Sequence, residues 1–204
     1  MHKLPHRYFI INKPYDMVSQ FVSSHEVKLL GDLDFEFPEG THAIGRLDNH
    51  SEGLLILTTN KKITRLLFDP KKKHRRTYLV MVKNIVTDEL LQQLRTGVTI
   101  PVKDSEPYIA VPDSIEIVTD VTDHYIHMDD FRQQYPHTWM LMTLTEGKFH
   151  QVRKMCLAIN RRCLRLIRIS IEELKLGDLK PGCVKELNEQ EFFDLIGVDY
   201  PAKT

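Results

Sequence analysis

The apolar residues of this chain come in short, dense runs separated by polar turns. Tyr8-Phe9-Ile10-Ile11, Leu54-Leu55-Ile56-Leu57-Thr58, Thr77-Tyr78-Leu79-Val80-Met81-Val82 and Trp139-Met140-Leu141-Met142-Thr143-Leu144 are rich in β-branched, aromatic and aliphatic side chains. Runs of this length make strands; a membrane helix needs roughly 18 apolar residues in a row. Between them the apolar spacing becomes helical. Ile63, Leu66 and Leu67 predict a short helix over 62–68 that stops at Asp69-Pro70. Leu90, Leu91 and Leu94 predict a second, with Thr87 as N-cap and Gly97 as its end, and Val152, Met155, Cys156 and Ile159 share one face of a third. Residues 164–169 alternate imperfectly and predict a strand, and 98–120 predict two or three short strands around Pro101, Pro107 and Pro112. The stretch 22–41 predicts mostly loop with one helical turn near Leu29–Leu33, and the acidic, aperiodic segment 121–137 predicts a loop or insertion. Strands and helices intermix with neither βαβ regularity nor a repeat. The expected fold is therefore α+β, a largely antiparallel mixed sheet with flanking helices. At 204 residues it should form one domain over 1–204, with two lobes around a central cleft.

The balance of 28 basic and 28 acidic residues hides a strong pattern. Residues 61–83 carry a net charge of +8 and residues 146–168 carry +6, whereas 84–145 carry −7. Two short blocks thus hold 16 of the 28 positive charges, which is what a phosphate-binding face needs whatever the total. Two solvated charged helices would give the same pattern, so charge alone does not decide. Cys156, Cys163 and Cys183 show no C-x-x-C spacing, which argues against a disulfide framework or zinc site and suits a reducing cytosol. His124-x-x-His127 with Asp129 reads as a solvated pair rather than a metal site. The N-terminus lacks a signal peptide's apolar stretch, so the expected location is cytoplasmic, away from membranes.

Two segments could carry chemistry. Gly45-Arg46-Leu47-Asp48-Asn49-His50-Ser51-Glu52-Gly53-Leu54-Leu55 is a polar loop leading into a buried strand, the setting in which binding and catalytic groups are commonly held. A carboxylate there can be a nucleophile, a general base or a structural cap, and Asp48 with Glu52 also admits a small-molecule glycosidase. Glu146-Gly147-Lys148-Phe149-His150-Gln151-Val152-Arg153-Lys154-Met155 places Arg153 and Lys154 near a helix start, where the dipole disfavours cations. That placement suggests an anionic partner, a carboxylate or a phosphate.

In combination the segments resemble the RsuA-type family of ribosomal RNA pseudouridine synthases. The matching stretches are N-K-P at 12–14, G-R-L-D-x-x-S-E-G-L-L at 45–55, R-T-Y-L-V at 76–80, E-G-K-F-H-Q-V-R-K-M at 146–155, L-R-L-I-R at 164–168 and L-K-P-G at 179–182. The resemblance spans roughly residues 7–187. Within the family the chain is most similar to the large-subunit synthase E type, on N-K-P-Y leading to Gln20-Phe21, on Leu94-Arg95-x-Gly97-Val98-Thr99 and on Thr138-Trp139. The family's RNA-binding S4 module is not expected, since the first motif begins near residue 8.

The resemblance implies the pseudouridine synthase fold and an isomerase that converts a uridine of ribosomal RNA to pseudouridine without metal or organic cofactor. It implies Asp48 as the catalytic aspartate, Arg153 as the basic residue paired with it, and Tyr78 as the tyrosine that packs on the target base. Arg46 corresponds to the arginine that holds the target nucleotide out of its helix, since extracting a base costs unstacking that contacts must offset. Lys13, Lys71, Lys72, Lys73, Arg75, Arg76, Lys148, Lys154, Arg161 and Arg162 are the expected RNA contacts. The implied partner is 23S rather than 16S rRNA, met as naked RNA or as an assembling large-subunit particle, by a monomer. A catalytically silent RNA-binding or ribosome-assembly protein on the same fold is the alternative.

Overall fold

The computed structural model describes residues 5–67, 72–128 and 135–199, and the chain divides into two compact units. The first comprises residues up to 74 and from 170 onward; the second comprises 75–169.

The first unit is built on β1 (Tyr8–Lys13), β2 (His42–Ile44), β3 (Glu52–Thr58), β10 (Leu174–Lys175) and β11 (Val184–Leu187), with α1 (Lys62–Leu67) and α4 (Glu189–Ile196). β1 lies between β11 and β3, antiparallel to both, with Tyr8 opposite Leu187 on one side and Thr58 on the other. β2 adds antiparallel to β3, Ile44 facing Ile56. Every residue of β1 and β3 is buried. That explains why their sequences are continuously apolar rather than alternating: each face has its own cover. Tyr8 stacks on Phe192 of α4 at 4.5 Å and meets Phe193 edge-on, while Phe9, on the opposite face, meets Phe35 and Phe37 edge-on. A 3-10 turn at Leu30–Asp32 falls where one helical turn is expected, with Leu30 buried.

The second unit contains β4 (Arg76–Lys83), α2 (Asp88–Thr96), β5 (Val98–Ile100), β6 (Tyr108–Ala110), β7 (Ser114–Val118), β8 (His137–Leu144), α3 (Gln151–Ala158) and the greater part of β9 (Cys163–Ile171). Its strands run β9-β4-β8-β7 across the sheet. The long β4–β8 ladder is antiparallel and pairs Arg76 with Leu144 at one end and Lys83 with His137 at the other. β5 and β6 form a separate two-stranded sheet. α2 runs from Thr87 to Gly97 as its capping residues demand. Gly97 has φ +103, and a Cβ there would meet Val111 Cγ2 at 2.8 Å, so both the backbone and the space require glycine. Val152, Met155, Cys156 and Ile159 are all buried, the single α3 face their spacing predicts.

The mixed α/β fold is as expected, with β1–β11, β1–β3, β2–β3, β4–β8 and β7–β8 all antiparallel. Segment 121–137, expected as a loop or insertion, is described over 121–128 and 135–137. It holds a 3-10 turn at Val121–Asp123, and Tyr125 is buried with the Arg165 guanidinium carbon 5.6 Å from its ring centroid. β2, β10, β11 and α4 have no counterpart among the elements predicted from sequence.

Candidate active site

Asp48 sits in the loop that joins β2 to β3, and that loop is pinned on both sides of it. Gly45 leaves β2 at φ +70, the left-handed region that glycine enters at least cost. Leu47, buried, donates its N–H to Ser19 Oγ at 3.0 Å, and its C=O accepts from the same hydroxyl at 2.9 Å. One buried serine thus holds both backbone groups of the residue before Asp48. After it, the Asp48 C=O accepts from Ser51 N at 2.9 Å, closing a turn. Asn49 Nδ2 donates to Asp16 Oδ1 at 3.0 Å, and the Asn49 C=O accepts from Lys13 Nζ at 3.3 Å. Asp48 itself is partly exposed, and Arg46 is exposed. The arrangement holds a partly exposed Asp48 on a backbone that has little freedom.

Lys13 is where the sequence expectation needs correcting. Its side chain is not presented to RNA: the residue is 0% exposed, and Nζ donates to the carbonyls of Pro14 at 2.9 Å and Met17 at 2.6 Å as well as to Asn49. A buried ammonium must spend its donors on internal acceptors, because leaving water unpaired would cost far more than any surface contact returns. Lys13 is a strut under the Asp48 loop.

In the second unit Tyr78 lies on β4, buried, opposite Met142 of β8. Arg153 stands in the first turn of α3 and is partly exposed. Its positive charge also acts on Cys156 and Cys163. The hydrogen bond between these two thiols pushes Cys156 well above the ordinary thiol range and draws Cys163 below it; burial opposes the second shift and the Arg153 charge assists it. The turn before α3 is internally cross-linked. Gln151, buried, donates from Nε2 to Glu146 Oε1 at 2.6 Å, and its Oε1 accepts from Lys148 N at 2.8 Å. Glu146 Oε2 accepts from Tyr108 OH at 2.6 Å, a bond that raises the phenol above its usual range. Lys148 Nζ rests 4.0 Å from the Tyr108 ring centroid.

The remaining expected RNA contacts fall into three groups. Lys72, Lys73, Arg75 and Arg162 are exposed, Lys72 Nζ lying 3.8 Å from Asp199 Oδ2. Lys154 and Arg161 are half-buried and anchored to backbone, Lys154 Nζ on Pro101 O at 2.7 Å and Arg161 Nε on Ile85 O at 2.9 Å. Arg76, also expected as an RNA contact, is buried. Lys71 and Asp129 lie outside the described residues. No group of three or more His, Cys, Asp and Glu side chains is gathered for a metal among the described residues. Sequence reasoning missed Ser19 altogether. A lone serine between Val18 and Gln20 carries no local signal, because its function comes from a contact 28 positions away.

A family-wide sequence profile described as RNA pseudouridylate synthase matches residues 7–158. The chain is 37% identical over 179 residues to a ribosomal large subunit pseudouridine synthase E of Vibrio parahaemolyticus, covering 87% of this chain and 72% of that protein. It is 34% identical to one of the same name from Xanthomonas axonopodis, over 84% of this chain and 89% of the relative. A ribosomal small subunit pseudouridine synthase A of Escherichia coli is 28% identical over 93% of this chain and 74% of the relative. Among solved structures, a crystal structure of a pseudouridylate synthase superposes with a TM-score of 0.72 at 24% identity, covering 96% of this chain and 76% of that one, which establishes the shared fold.

Proposed function

The chain belongs to the RNA pseudouridylate synthase family, and from that premise we propose that it converts one uridine of 23S rRNA to pseudouridine with Asp48 as its catalytic carboxylate. The observation that carries this reading is the doubly pinned loop that presents Asp48. Catalysis by a single group depends on holding it in the reactive geometry, and the Ser19, Asp16 and Lys13 contacts supply that restraint.

The reaction is an isomerisation, so atoms and electrons balance within the nucleotide. The bond from N1 to the sugar breaks, the base turns, a bond from C5 to the sugar forms, C5 loses its proton and N1 gains one. Asp48 acts on the sugar or base as nucleophile, or on the 2′ hydrogen as base; either role uses the ionised carboxylate. Arg153 supplies positive charge for that carboxylate and for the anionic nucleotide, and Tyr78 packs against the base and serves its proton transfer at C5. Arg46, exposed beside Asp48, fills the stack that the flipped uridine leaves. Asp48 lies in one compact unit, and Tyr78 and Arg153 lie in the other.

Relatives named for the large ribosomal subunit support 23S rRNA as the substrate. The exposed cations Lys72, Lys73, Arg75 and Arg162 would bind phosphates around the target, whether naked RNA or an assembling particle. The chain works as a cytoplasmic monomer in this reading; no helix among the described residues is long and apolar enough to cross a membrane.

The test is pseudouridine mapping of rRNA from cells lacking the protein, complemented with wild type or with Asp48→Asn. One 23S position should lose its modification and regain it only with wild type. Asp48→Asn should bind RNA with wild-type affinity while turnover falls at least ~10⁴-fold, the scale on which removing an essential catalytic group acts. Full complementation by Asp48→Asn would remove Asp48 from the mechanism, and a lost site in 16S rRNA would reassign the substrate.

A further inference from the structure

We propose that Phe149 is a stacking platform for an unpaired base next to the reacting uridine, an inference that rests on the RNA-modifying function above. Phe149 is 72% exposed, in the turn that leads into α3 four residues before Arg153. A single exposed apolar side chain is ordinary on a protein surface. Three features set this one apart.

The turn is rigid where a loop tip would be free. Glu146, Lys148 and Gln151 are tied to one another by side-chain bonds of 2.6 and 2.8 Å, and Tyr108 secures Glu146 to β6. Phe149 therefore projects from a fixed base, and little conformational entropy remains to be lost when a ligand covers it. The chain also accepts strain at this point. His150, the residue that caps α3, has φ +55, and its imidazole stacks on the Phe149 ring at 3.9 Å and 17°. Left-handed backbone at a non-glycine residue persists where the surroundings over-determine it, commonly at functional sites. The imidazole backs the ring, Lys154 Nζ lies over it at 5.6 Å from the centroid, and Phe149 is still 72% exposed.

The neighbours select the occupant. Lys154 Nζ lies 5.6 Å from the Phe149 centroid, and Lys148 precedes Phe149 in sequence with its Nζ over the Tyr108 ring. An apolar peptide would bring these cations no counter-charge. A nucleotide suits both parts, its base on the ring and its phosphate near the ammonium groups, and any base has the required π face.

The test uses intact 23S rRNA and the rRNA fragment surrounding the mapped uridine, with 2-aminopurine placed in turn at each unpaired flanking position. Wild type should quench the probe at one of these positions. Phe149→Ala should abolish that quenching and weaken binding by roughly 5- to 150-fold, the range set by stacking one base. Phe149→Trp should keep both, and Phe149→Leu should lose the quenching while retaining an apolar side chain. Unaltered quenching and affinity in Phe149→Ala would overturn the proposal, as would wild-type affinity in Phe149→Leu or a fall in Tm with binding intact. A wild-type protein that modifies no uridine marks a failure of the function reading instead, seen in turnover rather than in the contrast among variants.

Discussion

Ser19 is the residue on which the placing of the proposed catalytic Asp48 most depends. Its hydroxyl bonds both the N–H and the C=O of Leu47, and Leu47 fixes where the chain enters Asp48. Ser19→Ala leaves two buried backbone groups without that partner, at a cost of about 1–3 kcal/mol in stability. For the proposed catalytic Asp48 the effect on rate should be comparable in free energy, because displacing a reacting group by ~1 Å can cost about a hundredfold in rate, about 2.7 kcal/mol. Thermal melting and single-turnover kinetics at saturating RNA separate the two: a modest drop in Tm with a fall in turnover of about tenfold or more is expected, with RNA affinity unchanged. A lower Tm with wild-type turnover would make Ser19 merely structural. At this scale the sequence is readable only in part. Asp48 stands in a motif, and its chemistry could be weighed from residue type and setting. Lys13 stands in a motif too and reads as an RNA contact, because its three carbonyl acceptors, all backbone, have no sequence signature.

Elements were readable where a local rule dictates them. Thr87 and Gly97 bracket α2, and the 152–159 spacing makes one buried face. α4 went unread although it carries both end signals. Asn188 Oδ1 accepts from Glu191 N at 2.8 Å, Asn188 Nδ2 donates to Glu191 Oε2, and Gly197 closes the C-terminus at φ +63. The sequence Asn188-x-x-Glu191 before Phe192 and Phe193 is a capping signature, obscured by the acidic tail around it. β2 and β11 are different. They are short, four residues at most, and pairing against β3 and β1 is what makes strands of them. Because Phe192 and Phe193 cover Tyr8, α4 should be worth more than its length suggests. Asn188→Ala should destabilise the protein by about 1 kcal/mol, the usual value of an N-cap, measured by urea unfolding. An unchanged unfolding midpoint would mean that aromatic packing alone holds α4 in place.

For the whole molecule, net charge misleads. A chain with pI near 7.2 and equal numbers of acidic and basic residues would be expected to ignore a polyanion. The attraction between protein and RNA, however, is summed over a Debye length of about 8 Å at physiological salt, so blocks of charge act locally and distant acidic segments do not cancel them. Lys72, Lys73 and Arg75 stand exposed within the +8 block, and Arg162 within the +6 block. Binding of 23S rRNA should therefore weaken steeply with salt, log affinity falling against log salt by about 0.9 for each duplex phosphate neutralised and about 0.7 for each single-strand one. The triple variant Lys72→Ala, Lys73→Ala, Arg75→Ala should bind less tightly at low salt and show a slope shallower by about 2–3 if each side chain meets a phosphate. The change in slope matters more than the change in affinity. A variant that merely perturbed the fold would lose affinity at every salt concentration, leaving parallel lines. A wild-type slope near zero would mean that the charge blocks are solvated surfaces, and that RNA is held by shape and stacking instead.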